Sequence, residues 1–146
     1  MSGAGAIHQV LLLWAARRMI ADGFVVAGFD GDVERGGPLN TLPKPFLLRG
    51  RRPDAWGATS DGSLVAFAEA KSADDVLSQR TIKQLRIFGA VRMKNGSLPC
   101  PLYIAVPREA APALDKALKV AALLSATNVI RLHVPEALLL GASHAA

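Results

Sequence analysis

The spacing of apolar positions changes several times along the chain, and each change marks an element. Over residues 5–21, Ile7, Val10, Leu11, Trp14, Arg18 and Ala21 recur at close to helical spacing, and Asp22-Gly23 supplies a stop. This predicts a helix presenting those positions on one face. The β-branched and aromatic run over 24–29 predicts a strand. Prolines and glycines then crowd the chain, predicting a flexible loop over about 31–53 with one short extended piece at 46–48. A loop of that length inside a compact domain is uncommon and often functional.

Asp61-Gly62 lies between two arms of strand-forming residues and predicts a β-hairpin, 54–59 pairing with 64–71 around a two-residue turn. A second helix is expected from a cap at Asp74 or Asp75 to about Lys94, closed by Asn95-Gly96 and facing the core with Ile82, Leu85 and Phe88. The almost wholly apolar stretch 101–106 reads as a strand covered on both faces. A third helix over 109–127 would bury Ala110, Leu114, Ala117, Leu118, Ala121 and Leu124. A strand over 129–134, a short helix to Leu140 and a terminal tail over 141–146 complete the chain. The order α-β-β-β-α-β-α-β predicts an α/β fold, a mixed central sheet flanked by helices, in one domain spanning 1–146.

Composition narrows the picture. With 146 residues, 51% of them hydrophobic, the chain is long enough to bury one core and too apolar for global disorder. Its longest apolar run, 10–16, stops at Arg17-Arg18. That is short of the roughly 20 residues of a membrane span, and no signal-peptide pattern surrounds it, so no membrane partner is expected. Cys100 is the only cysteine, which excludes an internal disulfide framework and points to a reducing, cytoplasmic setting. One thiol and three scattered histidines also exclude a zinc finger. No glycine-rich phosphate loop or dinucleotide fingerprint occurs, so no nucleotide cofactor is expected. A net charge of +5, from 17 Lys and Arg against 12 Asp and Glu, permits nucleic acid as partner but equally suits a basic domain without special affinity.

The hairpin carries the informative charges. A two-residue turn at Asp61-Gly62 sets Ser60 opposite Ser63 and, followed down the arms, Asp54 opposite Glu69 on the same face. Opposed residues have Cβ atoms roughly 5 Å apart, where like charges repel. Lys71, two residues beyond Glu69, projects from that face too, at the end of the apolar row of Val65 and Phe67. Two readings stand. A divalent cation compensates paired carboxylates next to a core, Mg²⁺ preferring oxygen ligands. Alternatively, Lys71 makes an ordinary surface ion pair with Glu69 or Asp54, worth about 0–1 kcal/mol.

Arg52-Pro53-Asp54, then Glu69-Ala70-Lys71 closing an apolar strand, then a helix carrying Gln84, resembles the PD-(D/E)XK nuclease superfamily. The resemblance covers at least residues 5–106 and is greatest to small stand-alone nucleases of the Holliday-junction-resolvase and restriction-endonuclease-like kind. It implies a restriction-endonuclease-like αβββαβ core with a C-terminal αβ extension. It also implies an Mg²⁺-dependent endodeoxyribonuclease, acting on structured or branched duplex DNA and leaving 5′-phosphate ends. Asp54, Glu69 and the Ala70 carbonyl would hold Mg²⁺, with Mn²⁺ able to substitute. Lys71 would position or activate water, with Gln84 near the site. Phe88 stands where one helicase-associated branch has Tyr, and the first helix lacks the Glu many relatives use, leaving His8 and Gln9 as its polar groups near the site. The other class of function this pattern admits is a catalytically inactive nucleic-acid-binding or assembly module.

Lys44, Arg49, Arg51 and Arg52 precede Asp54, and Arg80, Lys83 and Arg86 recur every three residues on the following helix. Lys44, Arg49, Arg51, Arg52, Arg80 and Lys83 are therefore candidate phosphate contacts, against the alternative of solvated charge. His8 is a possible additional site residue, Trp56 a cover for the sheet, and Cys100 structural. The apolar stretch 137–140 offers a homodimer seam.

Overall fold

The computed structural model describes residues 3–94 and 97–145. Helix α1, Gly3–Ala21, leads into strand β1, Phe24–Phe29. After a long connection come β2, Ala55–Thr59, and β3, Val65–Ala70, then helix α2, Gln79–Gly89. Strand β4, Leu102–Pro107, helix α3, Ala111–Val120, strand β5, Val129–Val134, and helix α4, Glu136–Ala145, follow. The five strands form one open sheet in chain order. The first three are antiparallel, and β3, β4 and β5 run parallel. The α/β class, mixed sheet and element order are those expected from the pattern. Among the described residues no helix is long and apolar enough to cross a membrane.

Alternation along the central strands builds two cores. Ala66, Ala68 and Ala70 of β3 share one face with Ala55, Tyr103 and Ala105, and α1 packs over them. Those alanines let the helix lie close to the sheet. Phe67 with Leu102, Ile104 and Val106 faces the other way, toward Leu85 and Phe88 of α2 and Leu114 and Leu118 of α3. By the same alternation Glu69 and Lys71 point to the α2 side, under an otherwise apolar layer. Both faces of β4 are buried throughout.

Several boundaries differ from expectation, each for a local reason. Helix α1 buries Leu11, Leu12, Ala15, Ala16 and Met19, while Arg18 and Ala21 are exposed. Leu11-Leu12-Leu13 makes it apolar on most sides, so contact with the sheet decides its inner face. The hairpin register runs from Ala55↔Ala68 to Ala58↔Val65, as the pattern required, but the turn is a four-residue loop closed by Thr59 N–H to the Leu64 carbonyl at 2.9 Å. Only Gly62 there has positive φ, 74°. The Asp61 carboxylate holds the loop by accepting from Ser63 N–H at 3.0 Å and Thr59 Oγ1 at 2.7 Å.

Helix α2 starts at Gln79 rather than at Asp74 or Asp75, because Ser78 Oγ caps Thr81 N–H at 3.1 Å. It ends at Gly89 rather than Lys94, since the following chain folds back through a bridge between Arg92 and Pro99; Asn95 and Gly96 lie outside the described residues. Helix α3 ends at Val120 instead of 127. Ala122 takes the left-handed conformation, φ 62°, and Leu123 N–H closes back on the Leu118 carbonyl at 2.7 Å, which leaves Leu124 exposed. The expected tail is mostly helix: α4 reaches Ala145 and buries Leu139, while Ala146 lies outside the described residues. Leu138 and Leu140 are exposed.

The connection from β1 to β2 is not featureless. It holds single 3-10 turns at Val33–Arg35 and Leu39–Thr41 and a bridge between Leu48 and Arg51. Phe29 N–H to the Pro43 carbonyl at 3.0 Å and the Phe46 ring against Trp56, centroids 5.1 Å apart, pin it to the sheet.

Candidate functional site

The C-terminal ends of β1 and β3 and the N-terminal end of β2 meet at one end of the sheet. The last paired residues of β2 and β3 are Ala55 and Ala68. Asp54 therefore lies one residue beyond the paired stretch instead of in the ladder pair with Glu69 that the extrapolated register suggested, although its N–H still donates to the Ala68 carbonyl at 3.1 Å. Its carboxylate takes over the ladder's role, accepting the Ala70 N–H on Oδ2 at 2.9 Å. From α1, His8 Nε2 approaches the same oxygen at 3.4 Å. A cleft of about 690 Å³ opens here, lined among others by His8, Asp30, Arg51, Arg52, Asp54, Ala70, Lys71, Asp75, Arg80 and Gln84.

Glu69 lies beneath the floor of this cleft. It is fully buried; as a carboxylate neither oxygen finds a donor among the described residues, whereas its protonated form shares a hydrogen bond with Asp54. Burial, and next the charge of Asp54, push its carboxyl well above the usual range; Lys71 and Arg80 oppose them. Burial also opposes the charge of Asp54. The His8 imidazole, the neighbouring Glu69 carboxyl and the Ala70 N–H outweigh it and hold Asp54 below its ordinary value. His8 is raised, first by its hydrogen bond to Asp54 and against the effect of burial. The two carboxyl groups thus differ sharply, one ionised and one resisting ionisation.

Lys71 is 6% exposed, which an ammonium tolerates only with close partners. Nζ donates to Gln84 Oε1 at 2.5 Å and lies 3.7 Å from Asp75 Oδ2. Gln84 is itself buried on the inner face of α2, one position from the exposed Lys83.

Asp54, Glu69, Ala70, Lys71, Gln84 and His8 are therefore brought together, and Arg51, Arg52 and Arg80 line the same cleft. Arg52 is partly spent on the loop, its Nη1 donating to the Pro45 carbonyl at 2.8 Å. Lys44, Arg49 and Lys83 do not line the cleft. Lys83 projects from the outer face of α2, Lys44 is exposed in the long connection, and Arg49 borders a separate groove. Gln9 turns away to accept the Asp32 N–H at 3.3 Å. Two residues absent from the expected set are present: Asp30, directly after β1, and Asp75, in the turn before α2. No local pattern marked Asp30; it lines the cleft because the end of β1 adjoins Asp54, to whose carbonyl its N–H donates at 2.8 Å.

Among the described residues no group of three or more His, Cys, Asp or Glu side chains is arranged as a metal cage. What the site offers is a carboxyl pair, Asp54 ionised and Glu69 buried with no donor for its ionised form. This donor set fits Mg²⁺, which is commonly held through one or two carboxylates with waters and substrate phosphate. Comparison with models of known protein families, with curated proteins and with solved structures returned no match.

Proposed function

We propose that this chain is a metal-dependent nuclease of the PD-(D/E)XK type, hydrolysing phosphodiester bonds in structured or branched duplex DNA. The observation that carries the reading is a carboxyl pair: the ionised Asp54, lining a cleft with Arg51, Arg52 and Arg80, and beside it Glu69, fully buried with no donor for its ionised form. A group so placed is costly unless something else completes it. The element order and mixed sheet support a restriction-endonuclease-like core with an αβ extension.

Asp54, Glu69 and the Ala70 carbonyl would hold Mg²⁺ or Mn²⁺. A divalent cation supplies charge neutralisation on the phosphodiester and acidifies water. Lys71, fixed by Gln84, presents a positive charge at the cleft wall that holds a phosphate oxygen or the attacking water. Arg51 and Arg80 neutralise flanking phosphates.

The competing reading is a catalytically inactive module of the same fold that binds nucleic acid. It is favoured by the way Lys71 and Asp54 are already satisfied internally, by Gln84 and Asp75 and by His8 and Ala70. Nicking of plasmid and branched DNA in Mg²⁺, Mn²⁺ or EDTA separates the two. The nuclease reading expects cleavage by the wild type, abolished by EDTA and lost in Asp54→Ala and Lys71→Ala. DNA binding by all three proteins with cleavage by none would establish the module instead.

A further inference from the structure

Residues 45–52 form a small finger. Its base is anchored: Pro45 is buried, Arg52 holds its carbonyl at 2.8 Å, and the Phe46 ring packs edge-on against Trp56 and Phe67 at 5.1 and 6.2 Å. Its tip is a two-residue turn closed on both sides, Leu48 N–H to the Arg51 carbonyl at 2.7 Å and Arg51 N–H to the Leu48 carbonyl at 3.0 Å. Both central residues have positive φ, Arg49 at 50° and Gly50 at 79°. Asn, Asp or Gly is the usual first residue of such a turn, and a long cationic side chain there is held at a cost in backbone energy.

The finger stands between two grooves. On one side, Leu47, Gly50 and Arg51 line the cleft over Asp54 and Lys71. On the other, Leu48 and Arg49 form one wall of a groove of about 230 Å³, whose opposite wall is the end of α2 and the chain after it, including Arg92. Among the described residues no acidic side chain lines this second groove. Leu47 is 59% exposed, an apolar side chain at the mouth of a polar cleft. The first groove mixes Arg51, Arg52 and Arg80 with Asp30, Asp54 and Asp75; the second is largely apolar and carries Arg49 and Arg92, the latter also donating to the Ser97 carbonyl at 2.9 Å. Arginines on both sides of a divider with an exposed aliphatic side chain suit two parted polyanionic strands.

We propose that the 45–52 finger parts the strands of the substrate. One strand enters the cleft past Arg51 and Arg80; the other follows the groove between Arg49 and Arg92; Leu47 lies against the last stacked base pair. The preferred substrate is duplex DNA whose strands are already separated at one end, a fork or flap, over uninterrupted duplex. This rests on the nuclease reading above and specifies its substrate.

The test is fluorescence anisotropy in EDTA, at one salt concentration, with a labelled duplex and the same duplex bearing two unpaired arms. The wild type is expected to hold the fork about tenfold more tightly, the effect of roughly one charge-assisted contact. Arg49→Asn and Arg92→Ala are expected to bring that ratio toward one, whereas Arg80→Ala weakens both DNAs in proportion. Asn tolerates the left-handed conformation, so Arg49→Asn melts at or above the wild-type temperature and a lost preference is not lost folding. Equal affinity for both DNAs with cleavage intact overturns the divider and leaves the nuclease. Retention of the fork preference in Arg49→Asn and Arg92→Ala overturns it likewise. A protein that neither binds nor cuts either DNA removes the nuclease reading, and the divider with it.

Discussion

Replacing Glu69 by Gln is expected to stabilise the metal-free protein while removing cleavage. The wild-type carboxyl is fully buried beside the ionised Asp54, and only its protonated form has a hydrogen bond to offer that neighbour; ionised, both its oxygens lack donors. An amide of nearly the same shape carries no charge and has N–H groups to offer Asp54. A hydrogen bond to a charged acceptor is worth about 1.5–3 kcal/mol, so a gain of about 2 kcal/mol is expected once Glu69 would otherwise be ionised. The sign of the pH dependence follows from the raised carboxyl. Folding favours its protonated form, so the wild type is fully stable below the ordinary Glu value of 4.5 and loses stability as pH rises through the higher folded value. The loss runs at up to about 1.4 kcal/mol per pH unit between those limits. The substituted amide does not titrate, so the variant's advantage is small near pH 4.5 and widens with rising pH. Urea unfolding in EDTA across this range measures it, and a gain of 2 kcal/mol corresponds to a melting rise of about 4–8 °C for a domain of this size. Adding Mn²⁺ reverses the ranking, because a ligand at about 100 times its dissociation constant adds about 2.7 kcal/mol to the protein that binds it. A Glu69→Gln variant no more stable than wild type at alkaline pH would refute the claim that Glu69 is an uncompensated buried acid.

Gln84→Met leaves the Lys71 ammonium with only the distant Asp75 and is expected to cost about 2 kcal/mol in urea unfolding; adding Lys71→Met recovers most of it, since removing both partners of a buried pair is nearly neutral. Ala122→Gly relieves a left-handed alanine after α3 and is expected to stabilise by about 1 kcal/mol, read as a melting rise of about 3 °C. Asp61 is held down to about 2 from 3.8, first by the Ser63 N–H and then by the Thr59 and Ser63 hydroxyls. Its stabilising effect is present above pH 3.8 and fades as pH falls toward 2, so acid unfolding curves of wild type and Asp61→Asn converge over that window.

How far the site could be read in advance follows from the range of the interactions that make it. The Asp61-Gly62 turn and the alternation of 64–71 are local, and they correctly set which residues of β2 and β3 face each other even though the turn has four residues. Glu69 and Lys71 could be placed on one face, and Gln84 on a neighbouring helix, by period alone. Nothing local told that His8, 46 positions before Asp54, would approach its carboxylate, or that Asp30 would line the same cleft. Those depend on α1 lying close over a layer of alanines. The division of the arginines between two grooves depends likewise on how the finger leans against Trp56.

Period, turn chemistry and residue type, all properties of neighbours in the chain, determined by themselves the α/β order, the hairpin register and the acid–acid–lysine pattern. Packing alone decided which side of the all-round apolar α1 is inward, where α2 and α3 stop, and that Glu69 is buried beside Asp54 with no donor for its ionised form. Burial is a property of the assembled layers, because it is set by residues far away in sequence, and it is burial that turns an ordinary glutamate into one that resists ionisation.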